Sequence, residues 1–423
     1  MLLDFYILLK LLREFHLPKE KRELLVLNRL RKVLCSAYNN TKYYKKSMDD
    51  SGYNPNIHYK DPDDLKKLRI TTKRDLKENP VEDFINEGAR TKYIFTDSTS
   101  GSTGIPLKVY RNSIERKYQV AKWLRVLFLN GYNPFQKVMS FTSPARLNTG
   151  KSILQSFGIL RRKPINYLAA GNLIVDEIFK YQPDVIYGNR SQFETIAEEL
   201  IKRNSHPIYF KMIFVGGEVV TANHIKMFNN VFRTKIRQIY GTVELGSIAF
   251  DYKNNNGMIL NEDLTYCEFL NNENQEATEF EESKFVGTDL IGIYMPFIRY
   301  DQGDLLKYRF SGDRKFIVEI KGRDSDMIIL PDGTKKTHLY FYEFFHQFQS
   351  IRKVRGTQTK EDEIIVEIDC DLDYFKSIYD LVMDFLKTKI SNQMTYIIKH
   401  QSPIQPDKSG KIRMFKSELK SDG

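Results

Sequence analysis

The chain has 423 residues, of which 41% are hydrophobic and 28% charged, and it carries a net charge of +11. That is enough chain and apolar content for a large core and more than one domain, and it excludes a disordered protein. Cys35, Cys267 and Cys370 stand far apart with no C-x-x-C pair or Cys/His cluster, which excludes a disulfide framework and a structural zinc site and fits a reducing, cytoplasmic setting.

Lys and Arg are interspersed with Asp and Glu along the chain. The excess charge reads either as a solvated surface or as a field that draws in anionic small molecules such as nucleotides. No nucleic-acid-binding motif accompanies it, so no nucleic-acid partner is expected. The apolar start, Met1 to Leu12, is interrupted by Asp4 and Lys10, and it falls short of the roughly 20 residues a bilayer span takes. A helix packed on the body is expected there, with a helix lying on a membrane surface as the alternative.

Leu27, Leu30, Leu34 and Tyr38 recur at helical spacing. A polar stretch with short helical pieces follows, in which Thr72 and Asp75 form a helix-start signal. Tyr93–Thr96 and Leu107–Tyr110 read as strands joined by a small-residue loop, and Asn112 caps a helix that stops near Asn130-Gly131. Strands are then predicted at Val138–Phe141, Asp184–Tyr187, Lys211–Val215 and Ile236–Tyr240, with helices opened by Ser191-x-x-Glu194 and by Thr221. This alternation predicts a mostly parallel sheet covered by helices. Ligands bind beyond the carboxyl ends of such strands, which directs attention to Gly216-Gly217-Glu218 and Gly241-Thr242-Val243-Glu244.

From Asp251 the pattern turns β-rich. After Lys321-Gly322-Arg323 a compact α+β unit is predicted: strand 326–330, a turn at Pro331-Asp332-Gly333, helix 338–348, strands 352–358 and 363–370, helix 373–390 and strand 395–399.

The most informative stretch is Thr96 to Lys108. Every residue of Thr96–Gly104 except Asp97 is Ser, Thr or Gly. Glycines let a backbone approach a ligand, and hydroxyls with free N–H groups offer donors to phosphate oxygens. The Gly-Lys-Ser/Thr of a Walker loop is missing, and strands flank the loop on both sides.

The loop resembles the T-S-G-S-T-G-x-P phosphate loop of the acyl-CoA synthetase and adenylate-forming superfamily. Other segments are similar to that superfamily's motifs in the same order. They are Gly216-Gly217-Glu218, Tyr240-Gly241-Thr242-Val243-Glu244, Tyr300-Asp301-Gln302-Gly303-Asp304 (against Y-R-T-G-D), Gly322-Arg323 with Asp326, and Pro406 to Arg413 around Lys411. Leu30–Leu34, Tyr38–Asn40, Tyr43-Tyr44 and Leu65 to Leu76 further resemble the phenylacetate–coenzyme A ligase branch and its relatives from capsule-biosynthesis clusters.

The resemblance implies an α/β fold in three parts. Residues 1–321 would form a large domain with mostly parallel, helix-covered sheets and a β-rich portion. Residues 322–326 would form a hinge, and 327–423 a small mobile α+β domain carrying the catalytic lysine. It implies an enzyme that uses ATP and magnesium to form an acyl-AMP and pyrophosphate, and then passes the acyl group to coenzyme A or an amine.

In that reading Ser98, Thr99, Ser100, Gly101, Ser102, Thr103 and Gly104 hold the β- and γ-phosphates. Gly216, Gly217, Glu218, Tyr240 and Gly241 form the adenine site, with Gly217 and Tyr240 packed on the base. Thr242 contacts the α-phosphate, Glu244 ligates magnesium, Asp304 binds the ribose hydroxyls, Arg323 supports ribose and hinge, and Lys411 bridges carboxylate and α-phosphate. Tyr187-Gly188-Asn189-Arg190 follows a strand and should border the acyl pocket. Arg190 is the candidate for holding an anionic acid, and Arg146 is a weaker one. Ser325 stands where many members have the acidic hinge residue, so Asp324 or Asp326 takes that place. Against the ligase stand an ADP-forming phosphotransferase and a non-catalytic scaffold relative.

Overall fold

The computed structural model describes residues 2–98, 107–142, 144, 147, 153–253, 257–323, 327–336, 341, 344–345, 347–348, 350–405 and 414–419. Thr99 to Gly104, Arg146, Asp324 to Asp326 and Lys411 lie outside the described residues.

The centre of the molecule is a twelve-stranded sheet. Its strand order is Thr265–Leu270, Ser283–Asp289, Tyr300–Ser311, Arg314–Arg323, Met258–Leu260, Gly246–Asp251, Ile236–Thr242, Met212–Gly216, Val185–Gly188, Val138–Thr142 and Arg162–Asn166. The short strand Thr71–Thr72 adds in parallel to Tyr300–Ser311. The helix-covered parallel region and the β-rich portion are two halves of one sheet. Ile236–Thr242 is the seam. It pairs in parallel with Met212–Gly216 on one side and antiparallel with Gly246–Asp251 on the other.

Local signals account for most of the covering helices. Asn112 accepts from the Glu115 backbone at 2.9 Å while Glu115 accepts from the Asn112 backbone at 3.1 Å, which starts helix Ser113–Leu129. Thr72 with Asp75 and Thr221 with His224 form the same reciprocal cap. The helix expected to open on Ser191-x-x-Glu194 instead has Asn189 as its N-cap and Gln192 as its partner, and it spans Arg190–Lys202. Ser191 instead donates to Glu218, and Glu194 pairs with Arg190 on its own helix and with His224.

Two buried charge pairs tie Ser113–Leu129 to the sheet. Lys122 reaches Asp289 at 3.1 Å and Arg125 reaches Asp263 at 2.6 Å, both from fully buried side chains. Removing one partner of such a pair would strand the other charge in the core. The first helix, Leu2–Phe15, buries Ile7, Leu8, Leu11 and Phe15, the first three in a cluster with Ala121, and leaves Phe5, Tyr6 and Leu9 exposed. Among the described residues no helix is long and apolar enough to cross a membrane.

Strand Arg162–Asn166 and helix Gly171–Tyr181 were not foreseen. The strand contains Pro164 and lies at the sheet edge, where a missing N–H is tolerated. The helix begins after Ala170 with no side-chain cap, so it carries no start signal.

The C-terminal residues form a separate four-stranded sheet, ordered Thr395–His400, Glu363–Asp369, Lys353–Lys360 and Phe415–Ser417. Helix Leu372–Phe385 covers it and runs on into a wider π turn at Leu386–Ile390. The predicted strand 326–330 is a two-residue strand, Ile328–Ile329, in a hairpin with Lys335–Lys336 around the expected Pro331–Gly333 turn. Of the predicted helix 338–348, only Phe341, Phe344, Phe345, Gln347 and Phe348 are described.

Candidate active site

The carboxyl ends of the parallel strands bring together Tyr187-Gly188, Gly216-Gly217-Glu218 and Tyr240-Gly241-Thr242. Close packing dictates the glycines. A Cβ on Gly216 would lie 2.9 Å from the Ile239 carbonyl oxygen, one on Gly188 would lie 2.7 Å from the Phe141 ring, and one on Gly241 would collide with the Gly246 carbonyl. Gly217 holds φ at +74°, a conformation open to glycine at little cost.

Tyr240 is buried, its ring meeting Phe285 edge-on at 5.8 Å. Its hydroxyl donates to Asp304 Oδ2 at 2.7 Å and accepts from the Gln302 side-chain amide. Burial, then the adjacent Asp304 carboxylate, push the Tyr240 hydroxyl well above its ordinary pKa, so it remains a proton donor. Asp304 and Arg323 face each other across paired strands, with Arg323 Nε 3.5 Å from Asp304 Oδ1.

Glu244 follows on the turn after the seam strand. Its carboxylate is buried and accepts from the Tyr300 hydroxyl at 3.0 Å through Oε1. Thr242 Oγ1 accepts from the Leu245 amide at 3.2 Å and closes that turn.

The antiparallel hairpin Ile94–Ser98/Lys108–Asn112, which leads into and out of the Ser/Thr/Gly segment, is tied to this turn. Arg111 donates to the carbonyls of Val243 and Glu244, and its guanidinium also meets Asp97 at 3.1 Å. Arg116, from the following helix, reaches the same Asp97 oxygen at 3.1 Å. Sequence reading missed Arg111 and Asp97, whose strand positions carry no motif; the carbonyl partners of Arg111 lie 132 and 133 residues further along the chain.

The CapK C-terminal domain family matches residues 328–418. Over 392 residues the chain is 25% identical to phenylacetate–coenzyme A ligase from Thermus thermophilus, covering 86% of this chain and 84% of that one. It is also 25% identical to the Escherichia coli enzyme of the same name, over 71% of each chain. Among solved structures, 2-hydroxyisobutyryl-CoA ligase in its postadenylation state, in complex with an acyl-AMP, superposes with a TM-score of 0.74. The identity is 18%, with 95% of this chain and 90% of that chain covered. Fatty acyl-adenylate ligases from E. coli and L. pneumophila superpose at 0.56 with 15% identity, over 75% and 67%.

This is the adenylate-forming ligase fold. The resemblance to phenylacetate–coenzyme A ligases expected from the motifs is met by relatives of that name at 25% identity over most of the chain. Within this fold, Tyr240 and Thr242 end the seam strand and Glu244 follows it, while Asp304 and Arg323, on two other paired strands of the sheet, join them through the Tyr240–Asp304 hydrogen bond. Ser98 ends the first hairpin strand.

Beside them lies a second cluster. Glu218 accepts from the Ser191 amide at 2.7 Å and from its hydroxyl at 3.1 Å. Arg190 lies between Glu194, at 2.5 Å, and Glu218, at 3.8 Å. Buried His224 accepts from the Thr221 amide through Nδ1 at 3.0 Å, so its ring proton sits on Nε2, 2.8 Å from Glu194 Oε1. Burial alone would raise the Glu194 carboxyl, but Arg190 and His224 beside it hold its pKa down at about 2. The Arg190 charge, expected to meet a substrate anion, is thus matched within the fold by two carboxylates. Tyr187, next along, meets Trp123 edge-on at 6.0 Å.

Proposed function

We propose that the protein is an AMP-forming carboxylic acid ligase. The carboxylate attacks the α-phosphorus of ATP to form an acyl-AMP and release pyrophosphate. Coenzyme A or an amine then takes the acyl group and AMP leaves. A carboxylate is already anionic and needs no general base; the protein has to bring two anions together and offset the charge that develops on phosphorus.

The observation that carries this reading is the convergence of the Tyr240–Asp304–Arg323 group and the Glu244 carboxylate beside a hairpin leading to a Ser/Thr/Gly segment. Asp304 is assigned to the ribose hydroxyls, Thr242 to the α-phosphate, Gly216 to Glu218 and Tyr240 to the adenine side, and the Ser98–Gly104 segment to the leaving phosphates. Glu244 suits magnesium. Its Oε1 takes the Tyr300 hydroxyl and its Oε2 accepts no hydrogen bond among the described residues. A single carboxylate acting with substrate phosphates is an ordinary magnesium donor set. Lys411 is assigned to the bridge between carboxylate and α-phosphate, delivered by residues 327–423 turning about 322–326. The CapK C-terminal match supports a place in surface-polysaccharide assembly.

The test is acid-dependent pyrophosphate exchange against aryl, fatty, amino and uronic acids, followed by coenzyme A and amines as acceptors. Lys411→Ala should slow exchange by about 10²–10³ while ATP still binds. Exchange at the wild-type rate would remove Lys411 from the mechanism, and ADP release in place of AMP would overturn the proposal.

A further inference from the structure

Gln302 stands where the superfamily pattern Y-R-T-G-D has threonine, so no role for it comes with the resemblance. Its side-chain orientation follows from its neighbours. Tyr240 has one hydroxyl proton and gives it to Asp304 Oδ2 at 2.7 Å. Whatever meets that hydroxyl from the other side must donate, so the Gln302 amide turns its Nε2 toward Tyr240 and its Oε1 away. Oε1 is buried and has no hydrogen-bond partner among the described residues. A buried carbonyl without a donor is uncommon and costly, and one beside a binding site points to a donor that arrives with the ligand.

Resting on the adenylating reading above, we infer that Gln302 is a second ribose-binding residue. Its Oε1 accepts from one hydroxyl of the nucleotide's 2′,3′-diol, while Asp304 takes the other. Both side chains bind the same Tyr240 hydroxyl oxygen, so they border the same part of the site. A vicinal diol presents two adjacent O–H donors. A site that leaves a buried acceptor unmet when a hydroxyl is missing discriminates strongly against the deoxy analogue. The protein should therefore select ribonucleotides.

Calorimetry with ATP, 2′-deoxyATP, 3′-deoxyATP and purine riboside triphosphate tests this without turnover. The wild-type chain should bind at least one deoxy analogue about tenfold or more weaker than ATP. Gln302→Met, similar in shape but without the carbonyl, should weaken ATP about tenfold and bind that analogue as well as it binds ATP. Because the comparison is a ratio of affinities within one variant, partial misfolding cancels. An unchanged ribo/deoxy ratio overturns the inference, as does a wild-type chain that binds no ATP. So does a changed ratio for purine riboside triphosphate alone, which would assign Oε1 to the adenine amino group. Failure of the ligase reading shows separately, as absence of exchange with every acid while ATP selectivity follows Gln302.

Discussion

Asp251 shows what burial does to a single carboxyl. It sits at the end of strand Gly246–Asp251, accepts from the Gln238 amide at 2.7 Å, and has its pKa pushed up to about 6 by burial, against the partial pull of Lys235 and Arg237. A folded pKa above the unfolded value means stability that is complete below pH 4 and lost as the pH rises through about 6. Asn keeps the acceptor without the charge. Asp251→Asn should therefore raise stability by on the order of 2 kcal/mol at pH 7.5 and leave it unchanged near pH 4. Thermal unfolding at the two pH values is the measurement, and an equal gain at both would contradict this account. Glu194 titrates the other way: held near 2, it loses its contribution as the pH falls from its ordinary value toward 2.

At the scale of elements, the Ile94–Ser98/Lys108–Asn112 hairpin owes its aim to one side chain. Arg111 clamps the Val243–Glu244 turn and Asp97 together. It is buried, so its loss removes a placement as well as a contact. We expect Arg111→Met to reduce the exchange rate at least tenfold and to lower stability by about 1–3 kcal/mol through unmet carbonyls. A variant that loses stability but keeps its rate per folded molecule would show that the hairpin is aimed by something else. The hairpin strands and the helix after them were legible, because alternation and an Asx cap are local. The clamp was not, because Arg111 and Glu244 are 133 residues apart and nothing in a strand's pattern names its partner.

For the molecule as a whole, the hydrophobic clusters divide along the chain. One cluster is built entirely from residues between Ile328 and Phe415, including Phe341, Val366, Ile368 and Val382. The others draw on earlier residues only. A unit with its own core is expected to fold alone. Residues 327–423 expressed separately should unfold in a single cooperative step by far-UV circular dichroism, and a gradual, non-cooperative loss of signal would show that this core depends on the rest of the chain. Such independence is what the proposed rotation about 322–326 requires.

The sequence by itself determined the short-range features: where most strands and helices lie, the glycines that permit tight approach, and the order of the ligase-like motifs. These are written in neighbouring residues, through periodicity, capping and the absence of a Cβ. The tertiary structure decided the rest. It joined the parallel and β-rich parts in one sheet, turned Arg190 toward Glu194 and Glu218, joined Tyr240 to Asp304 across 64 residues, and left Gln302 Oε1 buried without a donor among the described residues. Those outcomes depend on strand order and register, which arise only when distant segments compete for the same partners.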